Sequence, residues 1–428
     1  MLINYCFKNF RSFKDPSCLS MIASSQTTFS DNLIRENSER ILPSAVIYGA
    51  NASGKSNIIL SLAVMKGIVL SGSVSSSIEE LSHLELYPFA HDKEKNPICF
   101  EVEFINNKYQ FKYGFDVLVE PFKKGTRKII GEFLTVVKSK NSNIELFKRD
   151  NKKVWINHEK KALEILNLDE SFLKTIDNKI NSNLDETELF LSRAFKNTIS
   201  NTIAECVIDF FKNKVEVVSD FTLKKVNLTM STENMPQDDF SIWNDILDDF
   251  VKGADFGPQS VMLKAKKLDD GHSADMELYS VYNNVSIPSD LMESRGTLKL
   301  LDFAIPFQSL FKTGGTFVLD EFDAAIHPEI IKGIISLFNN QKYNRCGAQL
   351  IFTTHNPIYL NNKMFRRDQI KFVEKDKSSF ISTIYSLADF GSTDVRNDEN
   401  YLINYFKGKY SSLPFIDFSR LIVDEEKK

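Results

Sequence analysis

The order of apolar and polar residues predicts three kinds of element in this chain. Largely apolar runs at 45–48, 316–319 and 349–352 predict short, buried strands. Between 97 and 119, apolar and polar residues alternate on both sides of an Asn-Asn pair, which is typical of a β-hairpin. An antiparallel sheet is therefore expected beside the buried strands.

The stretch from 161 to 214 predicts helices, because an apolar residue recurs at every fourth position of its second half. The recurring residues are Leu191, Phe195, Ile199, Ile203, Val207 and Phe211. We expect this apolar face to pack into the core, and an exposed face that binds a partner is the alternative. The heptads of a long coiled-coil arm are not sustained here.

A polar loop after the run at 45–48 matches the P-loop pattern G-x-x-x-x-G-K-[ST]. Glycines at both ends allow the backbone to curl, so that its N–H groups and the next helix start surround a phosphate. We expect Lys55 to reach the outer phosphates of ATP and act in catalysis, and the Ser56 hydroxyl to bind Mg²⁺. A chance match is the alternative, although the strand before the loop and the helix after it favour a true P-loop. The expected nucleotide-binding residues are Gly49, Ala50, Asn51, Ala52, Ser53, Gly54, Lys55, Ser56 and Asn57.

The rest of an ATPase site is predicted at the ends of the other two apolar runs. Hydrolysis needs a carboxylate for Mg²⁺ and a group that positions water. Asp320 is expected to bind Mg²⁺ through water or from its second shell, and Glu321 to polarise the attacking water. His355 is expected to donate a hydrogen bond to the γ-phosphate. A charged turn after an ordinary strand and a structural histidine are the alternatives.

A second helix start carries the sequence Ser294-Arg295-Gly296-Thr297, and we assign all four residues to nucleotide binding. Ser294 suits the N-cap position, and Gly296 is expected to leave the helix start open to an anion. Two such helix starts for one triphosphate suggest that the second binds a nucleotide held by another subunit. A plain capped helix is the alternative.

Composition indicates a globular protein of a reducing compartment. The 428 residues are 42% hydrophobic, and a net charge of −4 excludes a wholly basic nucleic-acid coat protein. No apolar run is long enough to span a bilayer, so no membrane is expected. The cysteines lack metal-type spacing, so we expect buried thiols and a cytoplasmic location. They are Cys6, Cys18, Cys99, Cys206 and Cys346.

The segment 122–161 is strongly basic, with twelve Lys or Arg residues against four Asp or Glu. Such an excess suits a surface that contacts a phosphate backbone or an acidic partner. Lysine is also common on the exposed edges of hairpins, where it discourages pairing with other sheets. Nucleic-acid binding therefore remains one of two interpretations of this segment.

The motifs together resemble the ATP-binding-cassette (ABC) ATPases, in the SMC/RecF-like branch whose heads dimerise around ATP. They are most similar to the AAA-type ATPases of prokaryotic abortive-infection and anti-phage loci, the RloA/AbiL-like group. The transporter signature differs, since Arg295 and Thr297 stand where it has a second glycine and a glutamine. The residues that carry the resemblance are Asn9–Phe13, Tyr48–Asn57, Glu293–Thr297, Asp320–Asp323 with His327-Pro328, Thr353–Asn356, Arg366–Ile370, Phe372–Lys375, Gly408–Tyr410 and Leu413-Pro414.

The resemblance implies an α/β P-loop NTPase of ABC-ATPase type, with a mixed-sheet core, an antiparallel β subdomain and a helical insertion. The implied segments are an N-terminal part of the head at 1–150, a mainly helical insertion at 151–255 and a C-terminal part at 256–428. A homodimer or higher oligomer is also implied, in which the Ser294 helix start acts on the partner's ATP. Asp323 would then lie beside the nucleotide near the dimer seam.

For Asn9–Phe13, a strand followed by a turn is one interpretation, and the resemblance suggests another, with Arg11 or a neighbouring aromatic residue near the nucleotide. The leading functional hypothesis is a Mg-dependent ATPase that works as a dimeric switch. Two heads close on two ATP molecules, and hydrolysis reopens them to control a separate effector, such as a nuclease, in anti-phage defence. The alternatives are a RecF/SMC-like ATPase of DNA repair or recombination, and a nucleotide-dependent scaffold with little turnover.

Overall fold

The computed structural model describes residues 1–75, 85–91, 96–119, 127–139, 142–182, 184–219, 240–267, 274–391, 395–396, 398–411 and 413. The strands in these residues are β1 (Leu2–Lys8), β2 (Ser17–Ser20), β3 (Ile34–Glu36), β4 (Glu39–Ile41), β5 (Ser44–Tyr48), β6 (Ile98–Asn106), β7 (Tyr109–Val119), β8 (Arg127–Ser139), β9 (Ser142–Asp150), β10 (Lys153–Ile156), β11 (Val215–Val218), β12 (Phe240–Trp243), β13 (Ser260–Lys267), β14 (Ala274–Tyr282), β15 (Val285–Pro288), β16 (Gly315–Leu319), β17 (Ala348–Thr353), β18 (Ile370–Lys375) and β19 (Ser382–Ser386). The α-helices are α1 (Lys55–Ser71), α2 (Lys160–Leu166), α3 (Glu170–Ser182), α4 (Asn201–Asp209), α5 (Asp245–Gly253), α6 (Ser289–Met292), α7 (Arg295–Thr313), α8 (Pro328–Phe338) and α9 (Tyr401–Phe406).

The main sheet has the strand order β11-β16-β17-β5-β18-β19. Its first five strands run parallel, and β19 pairs antiparallel with β18. Every residue of β5, β16 and β17 is buried, which is why these strands appear in the sequence as continuous apolar runs. Because the three strands are neighbours and parallel, their carboxyl ends lie together at one edge of the sheet.

A second, antiparallel sheet lies beside the main one, in the order β10-β9-β8-β7-β6-β1-β2. It contains the predicted hairpin, in which β6 and β7 are joined after Asn106 and Asn107 adopts a φ of 54°. One hydrophobic core joins the inner face of this sheet to α1 and to the helical stretch, and includes Phe104 and Met65. A second core lies between the main sheet and α7 and α8, and includes Phe307 and Phe338.

The stretch predicted to be helical at 161–214 is mainly helical in its described residues, with breaks at 167–169, 184–190 and 200, and its apolar face is buried as expected. All six residues of the fourfold repeat belong to the first hydrophobic core. The interval of four residues is wider than the 3.6-residue turn of an α-helix. The backbone accommodates it with π-helical segments at Leu191–Ile199 and Phe210–Lys214.

The predicted segments share sheets in this fold. Strand β5 of segment 1–150 pairs with β17 of segment 256–428, in agreement with one head built from both. Helices predominate in segment 151–255, but its strand β11 pairs with β16 and forms one edge of the main sheet. No observation tests the segment boundaries themselves, which remain a prediction.

The expectation of five buried thiols is wrong. Cys6 and Cys18 stand opposite each other on β1 and β2 and form a disulfide. Cys99 is half-buried, Cys206 is buried and Cys346 is exposed. Neither strand pairing nor exposure can be seen in the spacing of cysteines. Among the described helices, none is both long and apolar enough to cross a membrane.

In the part of the basic segment 122–161 that the structure describes, some of the charged side chains are bound within the chain. Arg149 is buried and donates hydrogen bonds to three backbone carbonyl groups. Lys128 and Lys152 both form ion pairs with Glu186. These contacts give three of the basic residues intramolecular partners, while residues 122–126 and 140–141 lie outside the described part.

Candidate functional site

The P-loop follows β5 and ends at the first turn of α1, as the sequence predicts. A Cβ atom at Gly49 would stand 2.4 Å from the Val373 carbonyl oxygen. Gly54 has a φ of 115°, and a Cβ atom there would stand 2.9 Å from the Ser12 hydroxyl. Both positions therefore need glycine, and the loop is held tightly by β18 and by the turn after β1.

Lys55 is buried inside this loop. Its Nζ atom donates hydrogen bonds to the carbonyl oxygens of Gly49 and Ala50, at 2.8 and 3.0 Å. Burial lowers the pKa of Lys55 to about 8, and the carboxylates of Asp320 and Glu321 oppose that shift. The opposing effect shows that both acidic groups act on this ammonium group electrostatically.

Asp320 and Glu321 follow β16, as predicted. Asp320 is buried, and its Oδ1 atom accepts a hydrogen bond from the Thr353 hydroxyl of the adjacent strand. The same hydroxyl accepts a hydrogen bond from the Glu321 N–H at 2.7 Å. The side chain of Glu321 is exposed, so the pair consists of one fixed and one accessible carboxylate.

His355 follows β17, and its Nε2 atom lies 3.8 Å from Oε1 of Glu321. Burial and the charge of Lys55 lower the pKa of His355, while the carboxylates of the site oppose the shift. The imidazole is therefore uncharged at neutral pH and can donate one hydrogen bond. Lys55, Glu321 and His355 belong to three neighbouring strand ends, and the structure brings these three predicted catalytic residues together.

Asp323 lies in the turn after Glu321. Burial raises the pKa of its carboxyl group, and a hydrogen bond with Thr354 opposes the shift. Asp323 also acts electrostatically on His355. It is thus placed at the same edge of the sheet.

Helix α7 begins at the predicted N-cap. The Ser294 hydroxyl accepts a hydrogen bond from the Thr297 N–H at 3.1 Å and also contacts the Thr297 hydroxyl. Ser294 and Arg295 are exposed, whereas Gly296 and Thr297 are buried. Gly296 also has a packing role that the sequence did not predict, because a Cβ atom there would stand 2.0 Å from the Ala325 carbonyl oxygen. This glycine permits close packing within the chain, and its effect on anion binding stays a prediction.

The residues present fit ATP and Mg²⁺. The Ser53 hydroxyl is buried in the P-loop without a hydrogen-bond partner, as expected of a group whose partner is a ligand. In the described residues, no group of three or more His, Cys, Asp or Glu side chains could hold a metal by itself. A hydroxyl at Ser56 and a carboxylate at Asp320 are the oxygen ligands that Mg²⁺ takes when nucleotide phosphates and water supply the rest.

Comparison with protein families decides the classification. Residues 44–361 match the family described as "AAA domain, putative AbiEii toxin, Type IV TA system". The chain belongs to this family. The matched region runs from β5 past His355 and includes the P-loop, the Ser294 helix start and both carboxylates, so the site lies within the AAA domain. No curated protein matches the chain.

Solved structures with similarity to this AAA-domain protein include three SMC heads. An SMC head bound to the C-winged helix domain of ScpA has 14% identity and a TM-score of 0.43, over 92% of this chain and 99% of its own. The SMC head domain from Thermotoga maritima has 14% identity and a TM-score of 0.36, over 90% and 98%. A Pyrococcus furiosus Smc head with an extended coiled coil, bound to a ScpA C-terminal domain, has 13% and 0.43, over 90% and 96%. Values this low carry no conclusion about activity or partners.

The predicted fold class is confirmed. This AAA-domain protein is an α/β P-loop NTPase of ABC-ATPase type, with a mixed sheet and a large antiparallel sheet. Family membership supports nucleotide binding as its biochemical property.

Two residues of the AAA-domain site had no role assigned to them from the sequence. The Thr353 hydroxyl, at the end of β17, donates a hydrogen bond to the Asp320 carboxylate and accepts one from the Glu321 N–H. Lys299 is buried in α7 and donates a hydrogen bond from Nζ to the Glu321 carbonyl oxygen at 2.7 Å. Thr353 could have been found from its place two residues before His355 on a parallel neighbour of β16. Lys299 has no such signal, because its contact depends on how a helix packs on a turn.

The segment Asn9–Phe13 forms the predicted turn after β1 and also contacts the P-loop helix. The Ser12 hydroxyl accepts a hydrogen bond from the Asn57 side chain at 2.8 Å, and Arg11 donates to the same side chain at 3.4 Å. A cavity of about 390 Å³ adjoins these residues, and Tyr87 and Phe380 line it. Both interpretations of this segment are therefore compatible with its position.

Proposed function

We propose that this protein binds and hydrolyses ATP with Mg²⁺ and works as a dimeric switch. The observation that carries the proposal is the meeting of Lys55, Glu321 and His355 at the carboxyl ends of three adjacent parallel strands. Ligands of open α/β sheets bind at this edge. A P-loop without a carboxylate pair would bind a nucleotide but would lack the groups that promote hydrolysis.

The proposed roles follow from exposure and charge. Lys55 leaves the loop carbonyl groups and binds the outer phosphates, and the loop N–H groups from Gly49 to Asn57 surround them. Ser56 and Asp320 hold Mg²⁺, which supplies charge neutralisation at the phosphates. Glu321 is accessible and polarises the attacking water. His355 is uncharged and donates a hydrogen bond to the γ-phosphate.

The proposed dimer is based on the exposure of the residues at the Ser294 helix start. Ser294 and Arg295 are exposed, and Leu291 and Met292 just before them are also exposed, with 75% and 49% of their surface accessible. Apolar side chains beside an exposed helix start suit a surface that a second copy covers. Ser294 and Arg295 then contact the partner's ATP, Gly296 and Thr297 support them from within, and Asp323 lies near the seam.

The biological setting is part of the proposal. The family description names a toxin of a type IV toxin–antitoxin system, which supports a role in anti-phage defence or abortive infection. We propose membership of the RloA/AbiL-like group, a cytoplasmic location, and control of a separate effector protein.

The test is Glu321→Gln, with Glu329→Gln as the matched control. Glu329 is an exposed carboxylate on α8 that pairs with Lys332 and lies outside the site. Glu321→Gln should lower ATP hydrolysis at least about 100-fold while ATP still binds. In this variant, ATP should also shift the protein to a stable dimer, measured by light scattering.

Unchanged hydrolysis by Glu321→Gln would contradict the assigned role of Glu321. A wild-type protein that binds ATP without hydrolysing it would favour the scaffold alternative. A protein that stays monomeric with saturating ATP would remove the dimeric switch.

A further inference from the structure

Helix α7 and the turn after β16 are in close contact within one chain. Gly296, at the start of the helix, packs against Ala325 so closely that no Cβ atom would fit. One helical turn further on, Lys299 is buried, with 6% of its surface exposed. Its Nζ atom donates hydrogen bonds to the carbonyl oxygens of Glu321 at 2.7 Å and of Ala324 at 3.4 Å. A helix that starts on the proposed dimer surface is thus joined to the turn that bears Glu321.

The backbone of Glu321 needs such support. Glu321 has a φ of 45°, in the left-handed region that residues with a side chain rarely adopt. Such a conformation persists when the surrounding structure fixes it. Here the Glu321 N–H is bound by the Thr353 hydroxyl and its carbonyl oxygen by the Lys299 ammonium group. The two peptide groups of Glu321 are therefore anchored to different elements, β17 and α7.

We propose that Lys299 is a positioning residue for ATP hydrolysis: it holds the Glu321 carbonyl oxygen and so fixes the backbone conformation from which the Glu321 carboxylate meets water. The proposal rests on the proposed function, since it assigns a means of setting the geometry of that site. Lys299 does not touch the nucleotide and acts through Glu321. It also makes the position of Glu321 depend on the position of α7.

This arrangement links the two ends of the proposed dimer site within one subunit. Ser294 at the start of α7 faces the partner's nucleotide, and Glu321 faces the subunit's own nucleotide. A displacement of α7 on contact with the partner moves the Lys299 ammonium group, and with it the Glu321 carbonyl oxygen. Closure of the dimer then changes the position of the Glu321 carboxylate through the Lys299 side chain.

The test compares Lys299→Met, Lys299→Arg and Lys312→Met with the wild-type protein. Methionine keeps a stem of similar length without the ammonium group, and arginine keeps donors for carbonyl oxygens. Lys312, at the far end of the same helix, is exposed and contacts Gln308, so its replacement controls for loss of a charge from α7. For each protein, kcat, KM, the Kd of a fluorescent ATP analogue and the thermal unfolding midpoint are measured.

Lys299→Met should lower kcat about 10- to 100-fold, because small displacements of a catalytic group have effects of this size. Its KM and Kd should stay within about threefold of the wild-type values, since the P-loop is untouched. Lys299→Arg should recover at least about fivefold of the lost kcat, and Lys312→Met should match the wild type.

Other outcomes overturn the proposal. If Lys299→Met hydrolyses ATP at the wild-type rate, Lys299 does not position Glu321, and the proposed ATPase function stands. If Lys299→Met loses ATP binding and thermal stability along with kcat and arginine restores none of them, Lys299 has a structural role only. If the wild-type protein binds ATP and hydrolyses none, the proposed function itself fails, and the role of Lys299 fails with it.

Discussion

The P-loop and the Ser294 helix start are both helix N-termini, but they are built differently. The P-loop is enclosed by its own chain: Lys55 is bound to loop carbonyl groups, and β18, β19 and the turn after β1 surround the loop. The Ser294 helix start is supported from behind by Ala325, while Ser294 and Arg295 are exposed. The P-loop is thus enclosed within its own chain, whereas the Ser294 helix start has an exposed surface. This difference is what a site shared between two subunits requires.

The largest expected effect that tests this difference is the recovery of ATPase activity when two inactive variants are mixed. Lys55→Ala should abolish ATP binding, and Ser294→Arg should abolish hydrolysis while ATP still binds, each lowering activity at least about 100-fold. In a shared site, a mixed dimer has one intact site, made from the P-loop of one subunit and the Ser294 of the other. An equal mixture should therefore regain about a quarter of wild-type ATPase activity, because half of the dimers are mixed and each has one of two sites.

The measurement is steady-state phosphate release before and after the two proteins are mixed and allowed to exchange subunits. Each variant at twice the concentration serves as the control. No recovery on mixing, with exchange verified by differently labelled subunits, would mean that each site is complete within one chain.

A smaller effect is expected on stability when the packed side of the Ser294 helix start is altered. Gly296→Ala should lower the free energy of unfolding by about 1–3 kcal/mol, because its methyl group meets the Ala325 carbonyl oxygen. The matched control is Gly333→Ala on α8, where nothing lies within 4 Å of the added methyl group. That control should be about 0.5–1 kcal/mol more stable than the wild type, since alanine favours helix over glycine.

Urea unfolding of both variants gives the comparison. Equal stabilities for Gly296→Ala and Gly333→Ala would show that α7 does not pack on the turn as described. Gly296→Ala should also lower kcat, because the same turn bears Glu321.

The smallest expected effect is on the pH dependence of ATP binding. The pKa of Lys55 is lowered to about 8 by burial, so its ammonium group is half deprotonated near that pH and mostly deprotonated above it. A bound triphosphate favours the charged form, so binding above this pH takes up a proton, and the Kd should rise by up to about tenfold per pH unit. Below pH 7 the contribution of Lys55 should be constant.

Isothermal titration calorimetry between pH 6.5 and pH 9.5 or so measures this slope. Ser294→Arg should show the same slope, because its P-loop is unchanged, and this sharpens the distinction between the two helix starts. A Kd that stays flat across the range would contradict the assignment of a phosphate contact to Lys55.

The parts of this molecule that could be predicted from sequence are those fixed by local pattern. The runs at 45–48, 316–319 and 349–352 are buried on both faces, so they stand out in the sequence, and the polar residues after them fall at the same sheet edge. The alternation around Asn106 likewise determines its hairpin.

The features that could not be predicted depend on contacts between distant segments. The Cys6–Cys18 disulfide follows from the register of β1 and β2, which no spacing reveals. The Thr353 hydroxyl contacts the Asp320 carboxylate and the Glu321 N–H, which lie 33 and 32 residues away in sequence. In the sequence, Lys299 does not differ from other polar residues of a helix, because its contact depends on the packing of α7 against the turn after β16.

Strand β11 limits how this protein could be cut or rebuilt. It follows the helical stretch 161–214 and is an edge strand of the main sheet in the described residues, where the Val218 carbonyl oxygen accepts a hydrogen bond from the Asp320 N–H at 3.0 Å. A shortened version that removed residues 151–255 as a unit would strip this neighbour from Asp320 and leave its N–H without that bond. A trimmed domain must therefore retain Val215–Val218. A displacement of β11 would be transmitted to the Asp320 backbone through this hydrogen bond.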